Sequence, residues 1–240
     1  MLLRSAIGVK RELAKTREDG TLTYLSAFVG TNHFDETQDE SGPQAYLVEV
    51  EPGTDPIIRP HFHPRRQFQV VVRGSGSVGK HSVGPGSVHY TDPNSPYGPI
   101  VSNSEGLAYF TLRARGTGDT HWMPGSKDKM GGRAGRNIVG QPRRKDDAAI
   151  AAILEPTEDG LAGYSIHLRA GQEEVAPSPE GSGGQFHIVL EGSLRVNDTE
   201  LPSESVVWVG PGEDAIHLTA GKEGAVVLTM QFPVPMGPID

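Results

Sequence analysis

Hydrophobic residues in this chain fall into short runs rich in Val, Tyr, Phe and Thr, each bounded by Gly, Pro, Asn or Asp. "AYLVEVEPG" from Ala45, "FQVVVRGSGSV" from Phe68, "GSVHYTDP" from Gly86 and "GLAYFTLRA" from Gly106 are of this kind. β-Branched and aromatic residues fit a pleated, half-buried surface, and turn residues close each run, so the pattern predicts strands. The spacing of an amphipathic helix is nearly absent.

The runs recur. Shifted by 118 positions, the chain falls into gapless register with itself, as from Tyr46 to Tyr164 and from Gly74 to Gly192. "YLVEVEPG" lies over "YSIHLRAG", "QFQVVVRGS" over "QFHIVLEGS", "SVHYTDPN" over "SVVWVGPG" and "EGLAYFTL" over "EGAVVLTM". One offset held across several segments marks an internal duplication. The expected organisation is an N-terminal arm (1–30), a first domain (31–115), a connector (116–148) and a second domain (149–240). Several strands at short spacing predict an all-β barrel or jelly roll in each domain, with an interior able to hold a small ligand.

Composition narrows the chemistry. Gly (31) and Pro (19) are abundant and there is no cysteine, so a metal would have to be held by nitrogen and oxygen. A net charge of −8 speaks against nucleic-acid binding. The basic stretch "RAGRNIVGQPRRK" is expected to be a solvated linker, with Trp122 and Met123 packing onto a barrel. No stretch reads as a signal peptide or membrane span, so the expectation is a cytoplasmic protein with no membrane partner.

The residues with the most chemistry lie in "RPHFHPRRQFQVVVRG", where His61 and His63 precede Gln67 and Gln69. Alternation along a strand places both histidines on one face and both glutamines on one face. These residues resemble the cupin superfamily, and the two-copy layout resembles a bicupin: two tandem cupin-type β-barrels. In the first family motif His61 and His63 supply the His-x-His pair, Gln67 stands in the Glu slot and Gly74 closes the motif. In the second, Gly86 opens, Asp92 and Asn94 replace Pro and Gly, Tyr97 occupies the His slot and Val101 the Asn slot. The resemblance implies the fold. It chooses no single activity among the superfamily's many.

The second copy carries Pro179, Gly181 and Ala215 where the first has His61, His63 and Tyr97. The histidines are therefore not needed to build the barrel, which favours a ligand role. The expected metal set is His61, His63, Gln67 and Tyr97, holding Fe(II) first, with Mn(II), Ni(II), Zn(II) or Cu(II) as alternatives. Gln67 has a second reading as a structural amide, because copy two keeps it as Gln185. Tyr97, Gln69 and His89 are catalytic candidates; Tyr97 is also read as a residue packing at the barrel mouth, and which face His89 occupies is open. Arg59 and Arg65 are candidates for gripping an anionic substrate, against a reading as surface arginines. His187 is expected to be structural, and His217 to reach the site only after a loop shift. The functions in view are a mononuclear metal-dependent oxygenase, a metal-free isomerase or lyase using Tyr97, and a non-catalytic binding protein. A homodimer and a small-molecule substrate are the expected partners.

Overall fold

The computed structural model describes residues 1–16, 20–30, 41–52, 58–130, 135–142 and 149–235, and the hydrophobic runs in them are strands. The chain forms two compact units: Lys10–Gly140, and Met1–Val9 together with Gln141–Met236. A short strand, β1 (Leu2–Arg4), opens the chain. The first unit contains β2 (Glu12–Thr16), β3 (Leu22–Val29), β4 (Gln44–Val50), β5 (His61–Phe62), β6 (Gln67–Val78), β7 (His81–Val83), β8 (Val88–Thr91), β9 (Ile100–Arg113), β10 (His121–Trp122) and β11 (Asn137–Gly140). The second contains β12 (Ile150–Leu154), β13 (Ala162–Leu168), β14 (Glu173–Val175), β15 (Gln185–Val196), β16 (Thr199–Pro202), β17 (Val206–Val209) and β18 (His217–Gln231), together with β1. No helix among the described residues is long and apolar enough to cross a membrane.

The duplication is exact in register. β4, β6 and β8 map onto β13, β15 and β17 residue for residue at the 118-position offset. The first sheet runs β11-β8-β6-β9-β4-β3-β2 and the second β1-β17-β15-β18-β13-β12, with antiparallel pairing throughout. The cores correspond as well: Val48, Val71, Val78, Val83 and Ile100 in the first unit are matched by Ile166, Val189, Val196, Leu201 and Leu218 in the second. Conserving which positions point inward is what a shared register requires, because a one-residue slip would turn every side chain to the other face.

A glycine pair pins that register in each unit. Gly74 sits at φ 69° with the Gly106 carbonyl where its Cβ would be, and Gly192 at φ 70° stands in the same relation to Gly224. Asn94, in the slot where the cupin motif has Gly, keeps a left-handed φ of 56°, and its counterpart Gly212 has φ 81°. Asn tolerates this region better than most residues, so the motif's turn survives the substitution.

The expected domain limits differ from the structure at both ends. The arm 1–30 is divided: β1 pairs with β17 in the second sheet, while β2 and β3 extend the first. The connector is not merely solvated. β11 pairs with β8, and β1 occupies against β17 the place that β11 occupies against β8. Each sheet thus has one edge covered by a strand from outside the repeated stretch, a common way to blunt an edge that would otherwise recruit another chain. Within "RAGRNIVGQPRRK", Arg136 binds Asp92 through Nε (3.0 Å), Nη2 (3.1 Å) and its backbone N–H (2.9 Å). Burial alone would raise the Asp92 carboxyl, but these bonds and the Tyr90 hydroxyl hold it below the ordinary range.

Candidate functional site

The inward positions of β6, β8 and β9 are polar at one end of the first unit. Gln67, Gln69, His89, Thr91, Thr111 and Arg113 are all buried, and the pairings Gln67↔Thr91, Gln69↔His89 and Gln69↔Thr111 put them on one face. Toward the other end the same face turns to Val71 and Tyr109. A cavity with room for about one water lies between these, lined by Gln69, His89, Val71, Val83, Ile100 and Tyr109.

Two further elements bring the motif residues to this face. His61 and Tyr97 form an isolated antiparallel bridge, N–H to O at 3.1 and 3.0 Å in the two directions, which sets their side chains together. β10 pairs with β5, joining His121 to Phe62 and Trp122 to His61. The connector thereby lies over the motif, and the expected packing of Trp122 is observed as an indole 5.1 Å from the His61 ring. Met123 donates its N–H to Pro60 O.

His61 and His63 are 4% and 5% exposed, with ring centroids 5.1 Å apart in an edge-on arrangement. His61 Nδ1 lies 2.8 Å from Arg59 O and His63 Nδ1 2.5 Å from Asp119 O. A main-chain carbonyl can only accept, so each Nδ1 carries its proton, and in the neutral ring the lone pair lies on Nε2. The Tyr97 hydroxyl is 2.7 Å from His61 Nε2 and donates to it. The same oxygen accepts from Gln67 Nε2 at 2.6 Å and from Gln69 Nε2 at 3.4 Å. Burial holds the Tyr97 phenol well above its ordinary range, with the charge of Arg113 acting in the opposite direction. The reading of Tyr97 as a half-exposed residue at the mouth is thus replaced by a buried one at the centre.

Gln67, expected in the metal set or as a structural amide, is engaged by its neighbours at both ends of its amide. Its amide oxygen accepts from Arg113 Nε (3.1 Å) and Nη2 (2.8 Å), and its amide nitrogen donates to the Tyr97 oxygen, the arrangement a structural amide would have. Arg113, fully buried, also donates through Nη1 to Gln44 Oε1 (2.6 Å) and Thr117 O (3.4 Å). His89 faces the interior. Its Nδ1 is 2.9 Å from Gln69 Oε1 and its Nε2 2.8 Å from Asn137 Oδ1; burial lowers its pKa to about 4, with the Asn137 contact acting in the opposite direction. Arg59 is exposed, with its guanidinium 5.5 Å from the Trp122 ring, and Arg65 is half-buried beside the motif.

Arg113 and Asn137 were missed in the sequence. The duplication held a signal for the first: Gln231 stands over Arg113, so one copy has a charge where the other has an amide at an inward position. Asn137 had no such signal, because β11 lies outside the repeat.

The second unit shows what the same face becomes without these groups. Val207 and Val209 take the places of His89 and Thr91. His187 Nδ1 is 2.9 Å from Thr229 Oγ1, and burial lowers its pKa to about 3. Gln185 donates to Gln231 Oε1 at 2.7 Å and Pro177 O at 3.0 Å. His217 is exposed on β18 and takes no part.

The residues of the first unit fit a first-row divalent ion in donor type: two imidazoles with Nδ1 fixed, and one phenol oxygen at His61. No group of three His, Cys, Asp or Glu converges among the described residues, so no carboxylate among them joins the two imidazoles.

No protein-family model and no curated protein matches the sequence. Solved structures do match over nearly its whole length. A bacterial pirin from Escherichia coli in complex with nickel(II) is 16% identical, with a TM-score of 0.60 over 97% of this chain and 98% of that one. A protein from Nostoc punctiforme described as a putative dioxygenase is 9% identical, with a TM-score of 0.62 over 99% and 85%. Oxalate decarboxylase from Bacillus subtilis is 12% identical, with a TM-score of 0.62 over 98% and 78%. Likeness at this identity speaks for architecture, and together with the duplicated register it establishes that the chain has the cupin fold, built twice.

Proposed function

We propose that the protein is a metal-dependent enzyme acting on a small oxygenated organic molecule, with mononuclear oxygenase chemistry at the first unit. The observation that carries this reading is the pair His61 and His63: both rings are buried, both Nδ1 atoms are tied to main-chain carbonyls, and the second copy has neither. Fixing Nδ1 in this way orients a histidine for ligation through Nε2. His61, His63 and Tyr97 would hold the ion, Fe(II) being the first choice, and a bound ion would supply Lewis-acid polarisation and a template for substrate oxygens. The names of the structural neighbours lend support, since one is a nickel(II) complex and another contains Mn(II) centres.

The chain's own residues have defined parts in this reading. Gln67, held by Arg113, keeps the Tyr97 oxygen against His61. The connector supplies Asp119 O to His63 and lays Trp122 beside His61, limiting the access of water to both rings. Arg59, at the Trp122 ring, is placed to meet an incoming anionic group. We also retain a cytosolic homodimer as part of the proposal, with β2 and β12 at the ends of the two strand orders as candidate assembly edges.

One observation favours a second reading. The 2.7 Å contact between the Tyr97 hydroxyl and His61 Nε2, with two amides donating to the same oxygen, is also an arrangement for proton transfer in a metal-free isomerase or lyase. Chelator treatment separates the two. Oxygen consumption and turnover that vanish with the metal and return on reconstitution support the oxygenase; turnover indifferent to chelator but abolished by Tyr97→Phe supports proton transfer.

A further inference from the structure

Arg113 is 0% exposed, and all its hydrogen bonds among the described residues go to neutral acceptors: Gln67 Oε1, Gln44 Oε1 and Thr117 O. No carboxylate among the described residues pairs with it. Burying an ion without a counter-charge is unfavourable by several kcal/mol even when its N–H groups are satisfied. The fold does not demand it. At the equivalent position the second unit has Gln231, which fills the same place with a neutral amide, accepting from Gln185 at 2.7 Å and donating to Gly160 O at 2.7 Å. The guanidinium occurs in the copy that has His61, His63 and Tyr97 and is absent from the copy that lacks them. Within one chain, the costly charge travels with the candidate site.

Its effect there is directional. Arg113 reaches the site through one amide: two of its N–H groups bind Gln67 Oε1, and Gln67 Nε2 donates to the Tyr97 oxygen at 2.6 Å. The imidazoles of His61 and His63 can add positive charge or none, and no Asp or Glu is buried beside Arg113 among the described residues. The described interior of the first unit therefore carries Arg113 as its one uncompensated fixed charge.

We propose that the first unit selects a small anionic ligand, a carboxylate or enolate, and that Arg113 is the fixed charge that determines this selectivity. The inference rests on the site of the proposed function and names its substrate class. Arg113 acts through Gln67 and through its field, as a positioning residue. A ligand bearing one negative charge supplies the missing counter-charge; its neutral isostere does not.

The test uses chelator-treated full-length protein, titrated with acetate and, in parallel, acetamide, following the fluorescence of Trp122 beside His61. The expected result is saturable binding of acetate at least tenfold tighter than acetamide. Arg113→Gln, which installs the residue the second unit uses, should remove that preference, and Arg113→Lys should restore most of it. A purely structural Arg113 would alter stability and leave the acid-to-amide ratio unchanged. Equal binding of acetate and acetamide by the wild type overturns the inference without need of any variant, as does an unchanged ratio in Arg113→Gln. Because the protein is metal-free throughout, anion selectivity stands or falls separately from metal dependence, which elemental analysis decides.

Discussion

The duplication allows one substitution to be made twice in one molecule, at Gln67 and at Gln185. Gln67→Leu strips two N–H groups of a fully buried guanidinium of their acceptor and takes a donor from Tyr97. Removing the partner of a buried ion costs roughly 3–5 kcal/mol. Because Gln44 Oε1 and Thr117 O still bind Arg113, the lower end applies, and about 3 kcal/mol is expected. At Gln185 the same change removes an amide whose own oxygen has no partner and strands only neutral acceptors, for a cost of about 1 kcal/mol. The difference, about 2 kcal/mol, is roughly a thirtyfold change in the unfolding constant. Urea unfolding followed by tryptophan fluorescence measures it, since Trp122 lies in the first unit and Trp208 in the second, and a Trp122→Phe background isolates the latter. Equal costs at the two positions, or a cost below about 1 kcal/mol at Gln67, would refute the argument that Arg113 depends on that amide.

Other consequences are open to direct measurement. Tyr97→Phe is expected to weaken divalent-metal binding at least tenfold by calorimetry, since it removes the oxygen donor from a set without a carboxylate, whereas Tyr90→Phe, whose hydroxyl bonds Asp92, should leave it within about twofold. His187 is buried and neutral with a folded pKa of about 3, below its ordinary 6.5, so the unfolded chain takes up the proton first and stability, complete above pH 6.5, declines as pH falls toward 3. Between pH 6.5 and 5 the loss from this residue is about 2 kcal/mol, and His187→Val should flatten the profile measured by urea unfolding. Gly74→Ala should cost about 2 kcal/mol more than Gly171→Ala: both residues have φ 69°, but only at Gly74 does a main-chain carbonyl occupy the Cβ position. Thermal melts of the two variants decide this.

The strands and their duplication were legible because inward positions repeat at one offset and a shared register allows no slip. Val48 with Ile166 and Val71 with Val189 are examples. The burial of His61 and His63 was legible for the same reason, by contrast with Pro179 and Gly181. Gln67 could not be assigned from spacing, because its role depends on a guanidinium 46 residues away that approaches only when β6 and β9 pair. The roles of Asp119 and Asn137 were hidden further, since the connector's path over β5 and along β8 has no counterpart in the repeat. The pairing of β1 with β17 was hidden because β1 is too short for its pattern to announce a sheet edge.

The central claim is that His61 and His63 form a ligand-holding pair in the first unit alone. X-ray absorption on iron-reconstituted protein, with elemental analysis of the same sample, tests it most directly. The account predicts about one ion per chain with two imidazole nitrogens in its shell, and neither ion nor imidazole signature in His61→Ala/His63→Ala. A metal signal that survives that double substitution, or a folded wild type that binds no divalent ion at all, would contradict it.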